Sequence, residues 1–299
     1  MTVTPKEAVD AANAAFGQHP GYRALHAKGI LCRGTFTPTP EAGHLTRAPH
    51  MQAGQSVPAT IRFSNGAGKP DSADYAPDPR GMAIKLYLPD GSRTDMVAQT
   101  SPRFPVHTPE AFVELLKAQA SPWRMPLFLL RHPETLRALP VARKGLTPPE
   151  SFAMCTYYGL HAFKFVDVDN QGRYVRYTLV PEAGDKRISP AEAKRRGRNY
   201  LQEDIRQRLT EAPARFTLEL QLAEPGDPVN DPWAMWPSDR RRVSAGTLEV
   251  TGMETERETG DDILVFDPTR VTDGIELSDD PVLHFRKQAY SESVARRTS

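Results

Sequence analysis

The alternation of apolar and polar residues along the chain predicts a protein with many short β-strands. Side chains of a strand point to opposite faces in turn, so a half-buried strand shows an apolar residue at every second position. Phe216, Leu218, Leu220 and Leu222 follow this rule clearly. On this basis we predict eight strands, over residues 30–37, 59–64, 82–88, 95–99, 162–167, 173–180, 216–222 and 243–250.

Helices are predicted from their capping residues and from helical spacing. Thr4 and Glu7 form a capping box, and Gly17 marks the end of the helix that it opens. Ser189 opens a second capping box, and we expect its charged helix to continue toward Leu209. Further helical segments are predicted after Thr108 and from Asp280 onward, with short helices and loops over residues 122–144.

These elements together predict an α+β fold. The loops between most strands are short, which favours antiparallel pairing, and the helices come before, between and after groups of strands. We therefore expect a barrel or a strongly curved sheet with flanking helices. The chain shows no repeat and no linker, so residues 1–299 are predicted to form a single domain.

Composition narrows the choice of partners. The chain carries 38 basic and 37 acidic residues, for a net charge of +1, so we expect no general attraction to nucleic acids or to anionic membranes. No apolar run approaches the roughly 20 residues that span a bilayer, and the polar N-terminus predicts a cytoplasmic location. Cys32 and Cys155 form neither a disulfide framework nor a zinc motif, and we expect both to be small buried residues.

His26 is the first candidate for chemistry. It lies in the segment 21–29, Gly-Tyr-Arg-Ala-Leu-His-Ala-Lys-Gly, just before a predicted strand. A histidine beside an apolar pocket stays neutral, because burial disfavours the charged imidazolium. A neutral imidazole can take a proton from one oxygen of a peroxide and return it to the other. A structural histidine is the plainer alternative, and His26 alone does not decide between them.

Arg286 and Tyr290 are the second candidate pair. They are four residues apart, so a helix would present them on one face. The plainer interpretation is a guanidinium lying over an aromatic ring at a helix surface. Other catalytic patterns are missing from the sequence: there is no Gly-x-Ser-x-Gly elbow and no His-Glu-x-x-His zinc motif.

Several short motifs in order resemble the catalase family of haem enzymes. The resemblance covers nearly the whole chain and implies an eight-stranded antiparallel β-barrel with flanking helices that binds haem b. The motifs that carry it are His-Ala-Lys-Gly at 26–29, Arg-Phe-Ser at 62–64, Asp-Pro-Arg-Gly at 78–81, Gly-Leu-His-Ala-Phe-Lys at 159–164, Phe-Asp-Pro at 266–268 and Arg-x-x-x-Tyr at 286–290.

The resemblance also implies a role for each matching residue. His26 would be the distal histidine, oriented by Ser64, and Tyr290 would be the metal ligand, held as a phenolate by Arg286. Asp78 resembles an acid of the peroxide channel. Residues expected at the haem are the propionate-binding Arg23, Arg62 and Arg297 and the pocket aromatics Phe104 and Phe112.

Two departures shape the expected activity. Gln99 stands where the family has a distal asparagine, so its amide reaches one methylene farther. The chain is also short for the family and resembles the small catalase-related peroxidases. These features imply a peroxidase that reduces hydrogen peroxide and organic hydroperoxides through a ferryl intermediate, using an unidentified electron donor, with weak catalase activity. A monomer or a homodimer is expected.

Two alternatives stay open from the sequence. One is an isomerase or dehydratase of fatty-acid hydroperoxides, as in the allene oxide synthases of the same fold. Those enzymes have a threonine just before the distal histidine, whereas this chain has Leu25. The other is a non-enzymatic haem-binding protein that has kept the pocket but not the turnover.

Overall fold

One antiparallel sheet closes into a barrel in the computed structural model, which describes residues 2–121, 123–257 and 263–298. Eight strands follow one another around the ring in the order β7-β5-β4-β3-β2-β1-β9-β8, and β8 pairs back with β7. Strands β6 and β10 extend the sheet beyond β7. The bounds are β1 (Gly29–Pro38), β2 (Val57–Asn65), β3 (Arg80–Tyr87), β4 (Arg93–Gln99), β5 (Tyr157–Tyr158), β6 (Phe163–Val166), β7 (Gly172–Pro181), β8 (Ala214–Leu222), β9 (Arg242–Met253) and β10 (Ile275–Leu277).

The helices lie outside this ring. In the described residues α1, α3 and α8 contact one another, α4 contacts both α3 and α5, and α7 contacts β9. Their bounds are α1 (Pro5–Phe16), α2 (Pro40–Gly43), α3 (Pro109–Gln119), α4 (Arg124–Arg131), α5 (Pro133–Leu146), α6 (Pro190–Arg196), α7 (Tyr200–Glu211) and α8 (Pro281–Thr298). None of the helices in the described ranges is long and apolar enough to cross a membrane. A cytoplasmic location stays a prediction.

The barrel interior is filled by apolar side chains. Ile61 and Phe63 of β2 are buried there, and Phe63 stacks on Phe152 with ring centroids 5.4 Å apart. Because side chains alternate along a strand, Arg62 and Ser64 point to the opposite face of β2. That outer face, covered by α1, α3 and α8, is therefore the part of the barrel that is available for a ligand.

Most predicted elements are confirmed. All eight predicted strands are present, the fold class is confirmed, and the capping box at Thr4 and Glu7 begins α1 with both reciprocal hydrogen bonds. The expectation of one helix from Ser189 toward Leu209 is wrong. Gly197, with φ of 107°, ends α6, and α7 begins at Tyr200. A positive φ is open to glycine at little cost, and it breaks the helical hydrogen-bond ladder.

Both cysteines are free and buried, as expected. Burial raises the pKa of the Cys32 thiol to about 12 and that of the Cys155 thiol to about 11. Thiols held in this protonated form are poor nucleophiles and poor metal ligands. The chemistry of this chain must therefore be sought elsewhere.

Candidate active site

A cavity of about 610 Å³ lies between the outer face of the barrel and the surrounding helices. Its walls come from β2, β3 and β4 and from α1, α3, α4, α5 and α8. All ten site residues predicted from the sequence line it: Arg23, His26, Arg62, Ser64, Gln99, Phe104, Phe112, Arg286, Tyr290 and Arg297. These residues are spread over nearly the whole chain, so the fold brings them together.

His26 reaches the cavity from a strained backbone position. Its φ is 56°, in the left-handed region that residues other than glycine seldom adopt. The turn is held in place by three hydrogen bonds: His26 N donates to the Gly66 carbonyl at 3.0 Å, Ala27 N donates to the Ala67 carbonyl at 3.1 Å, and Arg62 Nη1 donates to the His26 carbonyl at 3.0 Å. Backbone strain of this kind persists only where the surroundings over-determine it, and it is common at functional sites.

The His26 ring is oriented and kept neutral. Its Nδ1 lies 3.0 Å from Ser64 Oγ, which leaves Nε2 as the ring nitrogen available to a ligand. Burial, together with the positive charges of Arg62 and Arg286, lowers the pKa of His26 to about 3. The ring is therefore a proton acceptor at neutral pH. The ring also lines the cavity, which places this neutral imidazole within reach of a ligand bound there.

Strand register places the partners of His26 in one row. Ser64 of β2 pairs with Gly81 of β3, and Gly81 pairs with Gln99 of β4. Gly81 matters because it has no side chain: a Cβ there would lie 2.8 Å from both His26 Nδ1 and Ser64 Oγ. We call Ser64, Gly81, Gln99 and the His26 ring that packs on them the barrel wall. Sequence reasoning did not single out Gly81, although a glycine at a strand end can indicate such a close approach.

Gln99 is held more loosely than Ser64. Its side-chain amide donates to the Ser101 carbonyl at 3.3 Å, a long hydrogen bond. The Gln99 side chain also lines the cavity. The extra methylene relative to asparagine moves the amide along this wall without removing its hydrogen-bonding groups.

A chain of hydrogen bonds holds Tyr290 on the other element of the site, helix α8. Arg286 Nε donates to Tyr290 Oη at 3.0 Å, and Arg286 Nη1 donates to His161 Nε2 at 2.9 Å. His161 Nδ1 lies 2.6 Å from Asp280 Oδ2. We call Asp280, His161, Arg286 and Tyr290 the helix relay. The ring contact that spacing alone predicts is also present, with Arg286 Cζ 5.7 Å from the Tyr290 centroid.

The donors and acceptors of the helix relay have one consistent assignment. A guanidinium can only donate, so His161 Nε2 must accept from Arg286. Nδ1 of the neutral ring then carries the proton and donates it to Asp280. Burial lowers the pKa of His161, which agrees with a neutral ring. Asp280 also caps α8, since its Oδ1 accepts from Val282 N at 2.8 Å.

Sequence reasoning missed His161 and Asp280 as members of the site. His161 stands in the segment 159–164, which was noted without a role, and Asp280 was noted only as the start of a helix. Both side chains are almost fully buried. Two sequence signals could have found them: the motif at 159–164 contains His161, and aspartate is a preferred N-cap residue at the predicted start of α8.

Three guanidinium groups, from Arg23, Arg62 and Arg297, also face the cavity. Arg23 Nη2 donates to the Leu264 carbonyl at 2.7 Å, and Arg62 Nη2 donates to the Ala27 carbonyl at 3.3 Å. Arg62 thus holds the His26 turn, a role that sequence reasoning did not predict. The partly buried Asp78 carboxyl accepts from Ala67 N at 2.9 Å, and desolvation raises its pKa.

Known proteins resemble this chain in sequence and in fold. A sequence model of the family described as Catalase matches residues 18–299. The catalase-related peroxidase of Mycolicibacterium paratuberculosis is 49% identical over 99% of this chain and 95% of its own length. The catalase-related peroxidase of Synechococcus elongatus is 35% identical over 99% of this chain and 89% of its own length. A solved fungal catalase has a TM-score of 0.84 at 23% identity, covering 94% of this chain but only 60% of its own.

Proposed function

The chain belongs to the catalase family, and we propose that it is a haem b-dependent peroxidase that reduces hydrogen peroxide and organic hydroperoxides with electrons from a separate donor. The observation that carries the proposal is that one cavity is lined both by the neutral His26 and by the Tyr290 phenol, which is hydrogen-bonded to Arg286. Two relatives that match nearly the whole chain are named catalase-related peroxidases.

The cavity suits a haem by size and by chemistry. A volume of about 610 Å³ falls in the range of cofactor pockets, which is roughly 300–1,000 Å³. Apolar residues supply much of its lining, with Phe104 and Phe112 in contact at 5.0 Å between centroids. Arg23, Arg62 and Arg297 suit the two propionates, since guanidinium groups bind carboxylates in a fixed fork. Tyr290 offers a phenol oxygen that would ligate the haem iron, as tyrosine does in catalase.

The cysteines favour haem of type b. Covalent attachment of a c-type haem requires a Cys-x-x-Cys-His motif. The two cysteines of this chain are far apart in sequence, and both are buried without reaching the cavity lining. A haem in this cavity would therefore be held by side-chain contacts and by Tyr290 alone.

The barrel wall handles the proton of the peroxide. The neutral His26 would accept it from one oxygen of the peroxide and return it to the other, so that water would leave instead of hydroxide. Ser64 Oγ fixes the ring orientation, and the Gln99 amide binds the peroxide. Haem, when bound, supplies the redox chemistry of oxygen–oxygen cleavage.

The helix relay positions the phenol oxygen of Tyr290. Arg286 Nε donates to that oxygen at 3.0 Å, so the oxygen keeps lone pairs that would bind a metal ion. His161 and Asp280 hold Arg286 in that position through hydrogen bonds that are themselves buried. Tyr290 would hold the haem iron from this side, as the axial tyrosine does in catalase.

The ultraviolet–visible spectrum of the purified protein tests the proposal. We expect a Soret band, a pyridine haemochrome of type b and a spectral change when peroxide is added. Consumption of peroxide should rise when an electron donor is added, and it should far exceed the two peroxide molecules per oxygen molecule that dismutation alone would consume. An oxygen-release turnover close to the diffusion limit would overturn the peroxidase assignment.

The same samples separate the alternatives. A lipid hydroperoxide that is rearranged without any electron donor would indicate an isomerase or dehydratase. A full Soret band that peroxide leaves unchanged would indicate a haem-binding protein without turnover. Sedimentation of the holoprotein would distinguish a monomer from a homodimer.

A further inference from the structure

Helices α4 and α5 present apolar side chains to solvent. Trp123, at the start of α4, is 91% exposed, and Leu130 is 78% exposed. Leu127 and Leu136 are about half exposed. Trp123, Leu127 and Leu130 are spaced by four and three residues, so they form one stripe along α4. Clustered large apolar side chains of this kind indicate a surface that contacts something other than water.

Basic residues lie among these apolar side chains. Arg124, Arg137 and Arg143 are exposed, and no carboxylate of the described residues pairs with them. Two neighbouring cations are compensated: Arg131 pairs with Glu114 and Lys144 pairs with Asp185, each at 3.1 Å. The net charge of +1 for the whole chain conceals this local excess. We call the seven residues Trp123, Arg124, Leu127, Leu130, Leu136, Arg137 and Arg143 the docking face.

The inner side of the same helices lines the cavity. Met125 and Leu129 of α4 and Ala138 and Ala142 of α5 belong to the cavity lining. Leu139 of α5 is 48% exposed and also lines the cavity. The docking face and the candidate active site are thus separated by the thickness of one helix layer.

We propose that the docking face binds the surface of an anionic phospholipid bilayer. Trp123 and Leu130 enter the boundary between headgroups and acyl chains, where an indole is favoured. Arg124, Arg137 and Arg143 contact the lipid phosphates, with their apolar stems alongside the leucines. In this position the cavity receives acyl hydroperoxides from the bilayer, a consequence that rests on the proposed function.

Charge favours a bilayer over a second copy of the chain. A two-fold dimer through the docking face would bring the same patch against itself. Arg124, Arg137 and Arg143 of both copies would then meet without carboxylates from the face to neutralise them. Glu134, the acidic residue of α5, is already hydrogen-bonded to His132. An anionic lipid surface supplies the missing negative charge.

Vesicle flotation with the holoprotein tests the proposal. We expect binding to phosphatidylcholine vesicles that contain phosphatidylglycerol, weaker binding at high salt and little binding to phosphatidylcholine alone. Each basic residue near an anionic surface contributes roughly fivefold in affinity. Loss of three therefore costs on the order of a hundredfold, and the charge reversal in the triple variant Arg124→Glu/Arg137→Glu/Arg143→Glu should cost at least that much. The control Lys69→Glu/Arg206→Glu/Arg241→Glu, at exposed sites elsewhere, has the same net charge and should lose far less.

A second measurement reports where the tryptophan lies. Brominated acyl chains should quench the fluorescence of the wild type, and Trp123→Phe should remove that quenching. The proposal is overturned if the wild type does not bind anionic vesicles or if both triple variants bind equally. It is also overturned if Leu130→Ser converts a dimer into a monomer, because the face would then join two copies.

Turnover separates this proposal from the proposed function. None of the three substituted arginines lines the cavity, so the triple variant should consume dissolved hydrogen peroxide like the wild type. Its turnover should fall only for phospholipid hydroperoxides presented in anionic vesicles. Vesicle binding without any peroxide consumption would overturn the peroxidase assignment and leave the docking surface standing. If the wild type and the triple variant turned over the vesicle hydroperoxides equally, the proposal that the bilayer delivers substrate to the cavity would be overturned.

Discussion

Strand register holds the barrel wall in place, whereas a chain of buried polar contacts holds the helix relay. Ser64, Gly81 and Gln99 sit opposite one another because the backbone ladders of three neighbouring strands fix them. Arg286 and Tyr290 sit on one helix, and their positions depend on His161, a residue of a distant segment. The first arrangement is set by backbone geometry and the second by side-chain chemistry.

The two regions should therefore fail in different ways. An added methyl group in the barrel wall overpacks it, which typically costs about 1–3 kcal/mol and moves side chains. Removal of one partner from a buried charged network typically costs about 3–5 kcal/mol, because the other charge is left unpaired. Arg286 is only half-buried, so its share of that cost is smaller. The barrel wall is sensitive to shape, and the helix relay is sensitive to charge.

The largest effect is expected from a substitution of Tyr290, the last residue of the helix relay. Tyr290→Phe removes the proposed metal ligand and keeps the ring, so the purified protein should contain far less haem and lose nearly all peroxide consumption. Haem content by pyridine haemochrome, measured per mole of folded protein, checks this. Tyr22→Phe, at an exposed position outside the cavity lining, is the matched control. A Tyr290→Phe protein with full haem occupancy would contradict the assignment of the ligand.

The next largest effect is expected from the removal of His26, the proposed general base of the barrel wall. His26→Ala should keep the haem, because His26 is not a proposed ligand, but should lower kcat/KM for peroxide by about 10²–10⁴-fold, as expected for the loss of a general base. Stopped-flow absorbance after mixing with peroxide is the measurement. Equal rates for the variant and the wild type would show that His26 does not transfer the proton. A full haem content in His26→Ala and a low haem content in Tyr290→Phe would show that the helix relay holds the haem and that the barrel wall does not.

Gly81→Ala asks whether the barrel wall depends on shape alone. The new methyl carbon would lie 2.8 Å from His26 Nδ1 and Ser64 Oγ, so the histidine must shift. A displacement of about 1 Å in a positioned group costs on the order of a hundredfold in rate. Haem content should be unchanged. Gly43→Ala is the control, because a Cβ there meets its nearest neighbour at an ordinary 3.4 Å.

The sequence predicted local elements well and their relative placement poorly. Periodicity of two gave β2 and β3, but the predicted third strand began at Met82 and left out Gly81, the residue that matters for His26. The row through Ser64 and Gln99 depends on strand register, and no local pattern encodes register. Strand β5 has only two residues, too few to show any alternation, although the barrel does not close without it.

Within the helix relay, too, local pairs were predictable from the sequence and distant contacts were not. Arg286 and Tyr290 were predictable as a pair because they are one helical turn apart. Their partner His161 is 125 residues from Arg286, and only the tertiary fold brings them together. Family resemblance supplied the expected roles of the site residues, which residue types alone did not. It supplied no role for His161, and it did not predict that Arg62 would hold the carbonyls of the His26 turn.

A smaller effect is expected from the middle of the helix relay. His161→Gln keeps an oxygen that can accept from Arg286 but loses the ring that connects it to Asp280. Changes of this kind in the support of a metal ligand usually cost about 10–100-fold, and we expect the lower limit because Arg286 and Tyr290 remain. The visible absorption bands that report the iron–phenolate bond should shift as well. A rate loss without any spectral shift would mean that His161 only stabilises the fold.

The smallest expected effect concerns the pH dependence of turnover. This effect depends on both regions, because Arg286 of the helix relay helps to lower the pKa of His26 in the barrel wall. With that pKa at about 3, kcat/KM for peroxide should stay nearly constant from pH 8 to pH 5 and fall only as the imidazole becomes protonated. If His26 had the usual histidine pKa of about 6.5, the enzyme would lose activity around that pH.

The same shift affects stability. Since the pKa of His26 is lower in the folded than in the unfolded protein, the unfolded state binds more protons between these two values. The free energy of unfolding therefore decreases as the pH falls through this window. His50, whose pKa burial lowers to about 4, contributes with the same sign. Rates must therefore be recorded immediately after a pH jump, before unfolding, with circular dichroism as the control. A midpoint near 6.5 in protein that is still folded would show that neither burial nor the charges of Arg62 and Arg286 lower the pKa of His26.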